Sequence, residues 1–149
     1  MGSATGANRS LMQNKALIQD YLKRSKARLK AIKVLYDEES FSDVVRESQE
    51  VVELVLKAYL RHKNIEAPRI HDVSPVIEQN WSLFTESEKK YLTRFMKFSK
   101  ELRRDRELAF YGSEDLTPGE FYKREDADEA RSYATEIYDV LSAAVAANS

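Results

Sequence analysis

The sequence predicts an all-α fold: an up-and-down antiparallel bundle of four long helices plus one short helix. Three observations predict it. Apolar residues recur every three or four positions over long stretches, which is the spacing of one helix face. Only four glycines and three prolines punctuate 149 residues. The connections between amphipathic stretches are short, so successive helices must lie antiparallel beside one another. With 42% hydrophobic side chains, the chain can build one domain with a real core and is short for two. We expect a flexible leader over residues 1–10 and a single helical domain over 11–149.

The first helix is expected from about Leu11 to Tyr36, with Leu17, Tyr21, Ser25, Leu29, Ile32 and Tyr36 on its inner side. The second follows an N-cap at Ser40 or Ser42. Its stripe of Val44, Val45, Ser48, Val51, Val52, Val55, Leu56 and Tyr59 runs to about His62, and Glu53 and Lys57 are spaced for an i,i+4 ion pair. Pro68 and Pro75 break the pattern between residues 64 and 84, and Ser74-Pro75 reads as an N-cap with proline in the first turn of the short helix. Thr85-Glu86-Ser87-Glu88 is a capping box that opens the third long helix, which ends around Gly112. A polar loop with Pro118-Gly119 follows. The last helix begins near Glu125, where acids suit the positive helix end, and turns Ala127, Ala130, Ala134, Ile137, Leu141 and Ala144 inward.

Several chemistries are excluded. The chain has no cysteine, so disulfides, thiolate catalysis and cysteine-ligated metals are ruled out, and a reducing cytoplasm is the expected location. No apolar run approaches the ~20 residues that span a bilayer, and the first residues lack both a signal-peptide core and the myristoylation pattern, so no membrane partner is expected. There is no glycine-rich phosphate loop. Neither His62 nor His71 has a Glu three residues before it, as a carboxylate-bridged di-iron bundle requires, and two histidines alone make no zinc site. No metal or cofactor is expected.

The most informative segment is residues 103–112. Leu92, Phe95, Ser99 and Leu102 form the inner stripe of the third long helix, and the next positions on it are Arg106 and Ala109. An inward guanidinium demands an anion, either an internal carboxylate or a phosphate. Arg103 lies near the same stripe and Arg104 opposite it, so Arg103 and Arg106 are the phosphate-facing candidates, with Glu53 placed to orient an arginine when no ligand is bound. His71 and Asp72 read first as a cap and tether for the short helix.

The net charge of −1 hides an asymmetry. Residues 1–35 carry eight Lys/Arg against the single acid Asp20, a local +7, so the remainder carries −8. Either the first helix has a solvated basic face and lies beside the acidic last one, where Glu125, Asp126, Asp128 and Glu129 cluster, or it offers a surface to RNA or an acidic partner. The absence of interleaved aromatics and the spread of the basic residues around the helix favour the first alternative.

Residues 41–60 with Glu53 and Lys57, then His71-Asp72-Val73, then Arg106-Glu107-Leu108-Ala109-Phe110-Tyr111-Gly112 resemble, in that order, the stand-alone HEPN domain family. The resemblance covers most of the chain. It implies an all-α bundle that dimerises with the arginine motifs of two subunits at a shared cleft, a nucleotide or RNA ligand, and a minimal nucleotidyltransferase as partner protein in a toxin–antitoxin pair. It implies Lys57, His71, Asp72 and Gly112 as parts of the structural motif, with Arg106 and Tyr111 at the catalytic positions. Many members are metal-independent ribonucleases that carry Arg, four to six residues, then His. Here Tyr111 stands five positions after Arg106, and no histidine follows His71. A phenol near pKa 10 is a poor proton shuttle beside an imidazole near 6.5, so RNA cleavage is expected to be weak or absent. The alternatives are an active endoribonuclease using Tyr111 or water, and a dimeric adaptor whose arginines only make interface salt bridges.

Overall fold

The computed structural model describes the backbone of residues 2–66, 72–111 and 118–147, and the side chains of residues 11–66, 72–104 and 120–147. Its long helices are α1 (Gly2–Asp37), α2 (Phe41–His62), α4 (Glu86–Tyr111) and α6 (Arg124–Ala147), with short helices α3 (Ser74–Gln79) and α5 (Pro118–Phe121) and a 3₁₀ turn at Trp81–Leu83. No strand occurs among the described residues. Three departures from expectation concern boundaries. α1 begins at Gly2 rather than near Leu11, α5 lies where only loop was expected, and Ser74 is the first residue of α3 while Val73 takes the cap position.

Side-chain pairs fix the topology. Arg28 meets Glu47 and Asn14 reaches Arg61, so α1 and α2 are antiparallel. Tyr59 near the end of α2 meets Glu88 and Tyr91 at the start of α4, which is the same relation. Arg94 joins Glu136 while Phe98 stacks on Tyr133 at 3.8 Å, so α4 and α6 are antiparallel too. The result is the expected up-and-down bundle.

α2 is the central helix. The whole expected stripe is buried, and so are Gln49, Glu53, Leu54, Ala58 and Leu60, which leaves little of the helix for solvent. The cause is contact with α1, α4, α5 and α6 together. α4 buries Leu92, Phe95, Ser99 and Leu102 as expected, with Phe98 beside them. α6 buries Ala127, Ala130, Ala134, Ile137 and Leu141 as expected, but its last inward position is Val145 and not Ala144, which is only half-buried, and small alanines face α2. α1 is rotated slightly from the expected face: Ile18 and Leu22 are buried with Ser25 and Ile32, whereas Tyr21, Leu29 and Tyr36 are only partly covered. Fully burying one such Leu or Phe contributes roughly 1.5–3 kcal/mol, so these four stripes supply most of the drive to fold.

Helix ends are closed by local chemistry. α1 and α2 both finish in a Schellman arrangement, with Glu39 and Asn64 at positive φ (59° and 62°). Ser40 N–H then bonds Leu35 O, and Ile65 N–H bonds Leu60 O, both at 2.9 Å. The cap of α2 is Ser40, whose hydroxyl donates to Asp43 at 2.6 Å. The capping box of α4 forms as read: Glu88 N–H donates to Thr85 Oγ1 at 3.2 Å, and Thr85 N–H to Glu88 Oε1 at 3.0 Å.

Candidate functional site

α4 and the segment before α3 meet at Arg103. Its guanidinium pairs with Asp72 at 3.0 Å, both side chains being largely withdrawn from solvent. Asp72 also accepts the N–H of Ser74 at 3.0 Å, so one carboxylate caps α3 and ties it to α4. Burial alone would raise the Asp72 carboxyl. The hydrogen bonds from Arg103 and from the Ser74 backbone outweigh it and hold the carboxyl below its ordinary range.

Arg106 follows Arg103 by one turn. The stripe leading to it is closed, with Leu92 fully buried and Leu102 only 3% exposed. Arg106 and Tyr111 lie on the α4 backbone, and their side chains fall outside the described set; His71 and Gly112 lie outside the described residues altogether. Because α4 remains helical through Tyr111, the backbone positions of Arg106 and Tyr111 stand about 140° apart around its axis. On α2, Glu53 is buried and accepts a hydrogen bond from Gln49 Nε2 at 3.3 Å. No ion pair joins Glu53 to Lys57 among the described residues, contrary to the i,i+4 expectation. Lys57 is half-buried on the same helix.

A second polar cluster was not anticipated. It lies where the end of α2 meets the start of α4, beside a cleft of about 580 Å³ lined by Tyr59, His62, Lys63, Thr85, Glu88 and Tyr91. Glu88 takes a hydrogen bond from the Tyr59 hydroxyl and pairs with Lys63 at 2.9 Å, in addition to its capping role. Burial would raise its carboxyl, but the Thr85 backbone, Tyr59 and Lys63 together pull it down to about 2. Burial and the bonds to Glu88 and Tyr91 push the Tyr59 hydroxyl up, beyond any working pH. Burial and the Lys63 charge lower the His62 imidazole against the opposing pull of Glu88. Every charge in this cluster has its counter-charge, so it presents no spare cation to an anionic ligand. The signal in the sequence was the polar triad Tyr59, Lys63 and Glu88 on otherwise apolar faces, but only the tertiary fold brings residues 29 apart together.

No group of three or more metal-ligating side chains occurs among the described residues, and no helix there is long and apolar enough to cross a membrane. The model of the HEPN domain matches residues 18–144. This chain belongs to the HEPN domain family. At family level, membership of the HEPN family supports a nucleotide- or RNA-related role of the toxin–antitoxin type, and HEPN domains often dimerise. Comparison with curated proteins and with solved structures gives no match. In this HEPN domain α1 does lie beside α6, as expected, but among the described residues no α1 base pairs with the acids at the start of α6. Arg28 pairs instead with Glu47 of α2, and at the head of α6 it is the base Arg124 that reaches Glu39, at 2.7 Å. Asp126 is used to cap α6 through the Lys123 N–H.

Proposed function

We propose that this HEPN domain binds a nucleotide or RNA phosphate around Arg106 and acts with a nucleotidyltransferase partner in a toxin–antitoxin type module, with weak or no ribonuclease activity. The observation that carries the reading is the inner stripe of α4. It is buried from Leu92 to Leu102, and its next position is an arginine, a residue that belongs on such a face only when an anion answers it. Arg103 already has Asp72, so in this reading Arg103 and Asp72 brace the site and Arg106 makes the phosphate contact, with buried Glu53 as its orienting carboxylate. Two copies meeting at this end of the bundle would bring both Arg106 motifs to one cleft, and light scattering at tens of micromolar should give the dimer.

The absence of cleavage follows from two points. A tyrosine replaces the motif histidine, and five positions on an unbroken helix set Arg106 and Tyr111 on different faces. Calorimetry with ATP, GTP and a short RNA tests the site: Arg106→Ala should abolish binding while the fold survives. Unchanged affinity in that variant removes the site from Arg106, and a collapse of the melting temperature makes the arginine a structural salt bridge. Tyr111→His should raise RNA cleavage above the wild-type level, because imidazole is part neutral and part protonated near pH 7. Robust metal-free cleavage by the wild type, lost in Tyr111→Phe, would establish an active ribonuclease instead.

A further inference from the structure

The basic residues of α1 divide into two sets. Arg28 turns toward α2 and pairs with Glu47 at 2.7 Å, and Arg24 pairs with Asp20 on its own helix at 3.8 Å. The lysines do neither. Lys15, Lys23, Lys26, Lys30 and Lys33 are all exposed, and none enters an ion pair or a hydrogen bond among the described residues. At 100° per residue they fall within an arc of about 80°, on a flank of the helix that begins about 20° from buried Leu22 and lies clear of Ile18, Ser25 and Ile32. What looks spread around the helix in sequence is a single row of like charges once the two paired arginines are set apart.

A row of lysines costs self-repulsion, and the acids on α1 are Asp20, which is paired with Arg24, and exposed Asp37, one turn beyond Lys33 at the end of the row. The row extends over a rise of roughly 27 Å. Beside it stand Ala16, Ala27 and Ala31, all exposed, with the bulkier exposed side chains Met12 and Val34 confined to its two ends. No aromatic residue lies within the row, which removes the base-stacking platform that single strands require. The inner half of α1 is built into the bundle, so the helix cannot sink into a deep groove and can only lie on a shallow one. The wide, shallow minor groove of A-form RNA, flanked by phosphates, has that shape.

We infer that the lysine row of α1 is a docking surface for the backbone of double-stranded RNA, separate from the Arg106 site and independent of it. Binding is sequence-independent and governed by counterion release, about one ion per lysine–phosphate contact. The test is fluorescence anisotropy of a labelled RNA duplex with the full chain and with the Lys23→Ala, Lys26→Ala, Lys30→Ala, Lys33→Ala quadruple variant. These exposed positions favour alanine in a helix, and circular dichroism checks the fold. Raising salt from ~50 to ~200 mM should weaken wild-type binding roughly 100-fold or more and that of the variant only a few-fold. Equal affinity of the two proteins at low salt would overturn the inference. So would equally tight binding of the wild type to single-stranded RNA, to a DNA duplex or to polyglutamate. ATP binding by the quadruple variant separates the two proposals. If it persists while duplex binding is lost, the lysine row stands alone; if Arg106→Ala leaves ATP affinity unchanged, the Arg106 reading fails and this one does not.

Discussion

The two ends of the α2–α4 contact treat charge in opposite ways. Where the end of α2 meets the start of α4, Glu88 is saturated by Lys63, Tyr59 and the Thr85 N–H. At the far end of α4, one carboxylate, Asp72, serves both Arg103 and the start of α3, and the next inward position is another arginine. The first end spends its polar groups on holding two helices in register. The second holds a paired, half-buried arginine one turn before Arg106. In the reading proposed above, that difference separates a structural polar cluster from the proposed binding site even though both contain ionisable groups with displaced pKa values.

The sharpest way to break the comparison is Glu88→Ala. It removes a helix cap, a largely buried ion pair and a tyrosine hydrogen bond together, and should cost about 3–5 kcal/mol in urea unfolding. A loss below ~1 kcal/mol would mean that this end is not the clamp. The same carboxylate makes stability depend on acid. Its folded pKa of about 2 lies below the ordinary 4.5, so its contribution is complete above pH 4.5 and disappears as pH falls through 2. That contribution is on the order of 3 kcal/mol. Glu88→Gln should flatten the unfolding profile in that window, and an unchanged slope would move acid sensitivity to other carboxylates.

Asp72→Ala probes the other end with a smaller effect, about 1–2 kcal/mol, because Arg103 keeps some access to water. Its informative readout is hydrogen exchange. α3 and the middle of α4 should lose protection while α2 keeps it, and uniform loss would show that Asp72 supports the whole bundle. Smallest is Asn64→Gly at the left-handed end of α2, which should stabilise by a few tenths of a kcal/mol, since glycine carries no Cβ penalty there. A destabilisation would show that the Asn64 side chain has a role of its own in the neighbouring cleft.

The bundle was legible because burial follows periodicity. The stripe read for α2 is buried residue for residue, and that for α4 as far as Leu102. The α1 stripe was half right: Ser25 and Ile32 are buried as read, while Ile18 and Leu22 are buried in place of Leu17 and Tyr21. Coverage of α2 on nearly all sides was not read from its stripe, because only contact with four helices makes it so. Of the site residues, Asp72 is where a cap would be, while its second partner Arg103 lies 31 positions on and could not be read from spacing. The Glu88 cluster was half visible as a capping box; its links to Tyr59 and Lys63 are tertiary. The lysine row was visible too, but counting Arg24 and Arg28 with it blurred its direction.

The hydroxyl chain at the closed end has a fixed polarity. Ionised Glu88 can only accept, so Tyr59 donates to it, and Tyr91, at 2.8 Å from Tyr59, must donate in turn. Neither phenol can lose its proton without severing a link in that chain. Burial pushes Tyr91 up as it does Tyr59, and Tyr133, beside Glu129 and Glu101, is raised as well. Stability from these groups is complete below pH 10 and drains away in stronger alkali. A tyrosinate absorbance titration of the native protein would therefore fall short of the eight tyrosines in the chain until the helices part. The missing phenolates then appear together with the loss of structure, giving the bundle an optical gauge of its own integrity.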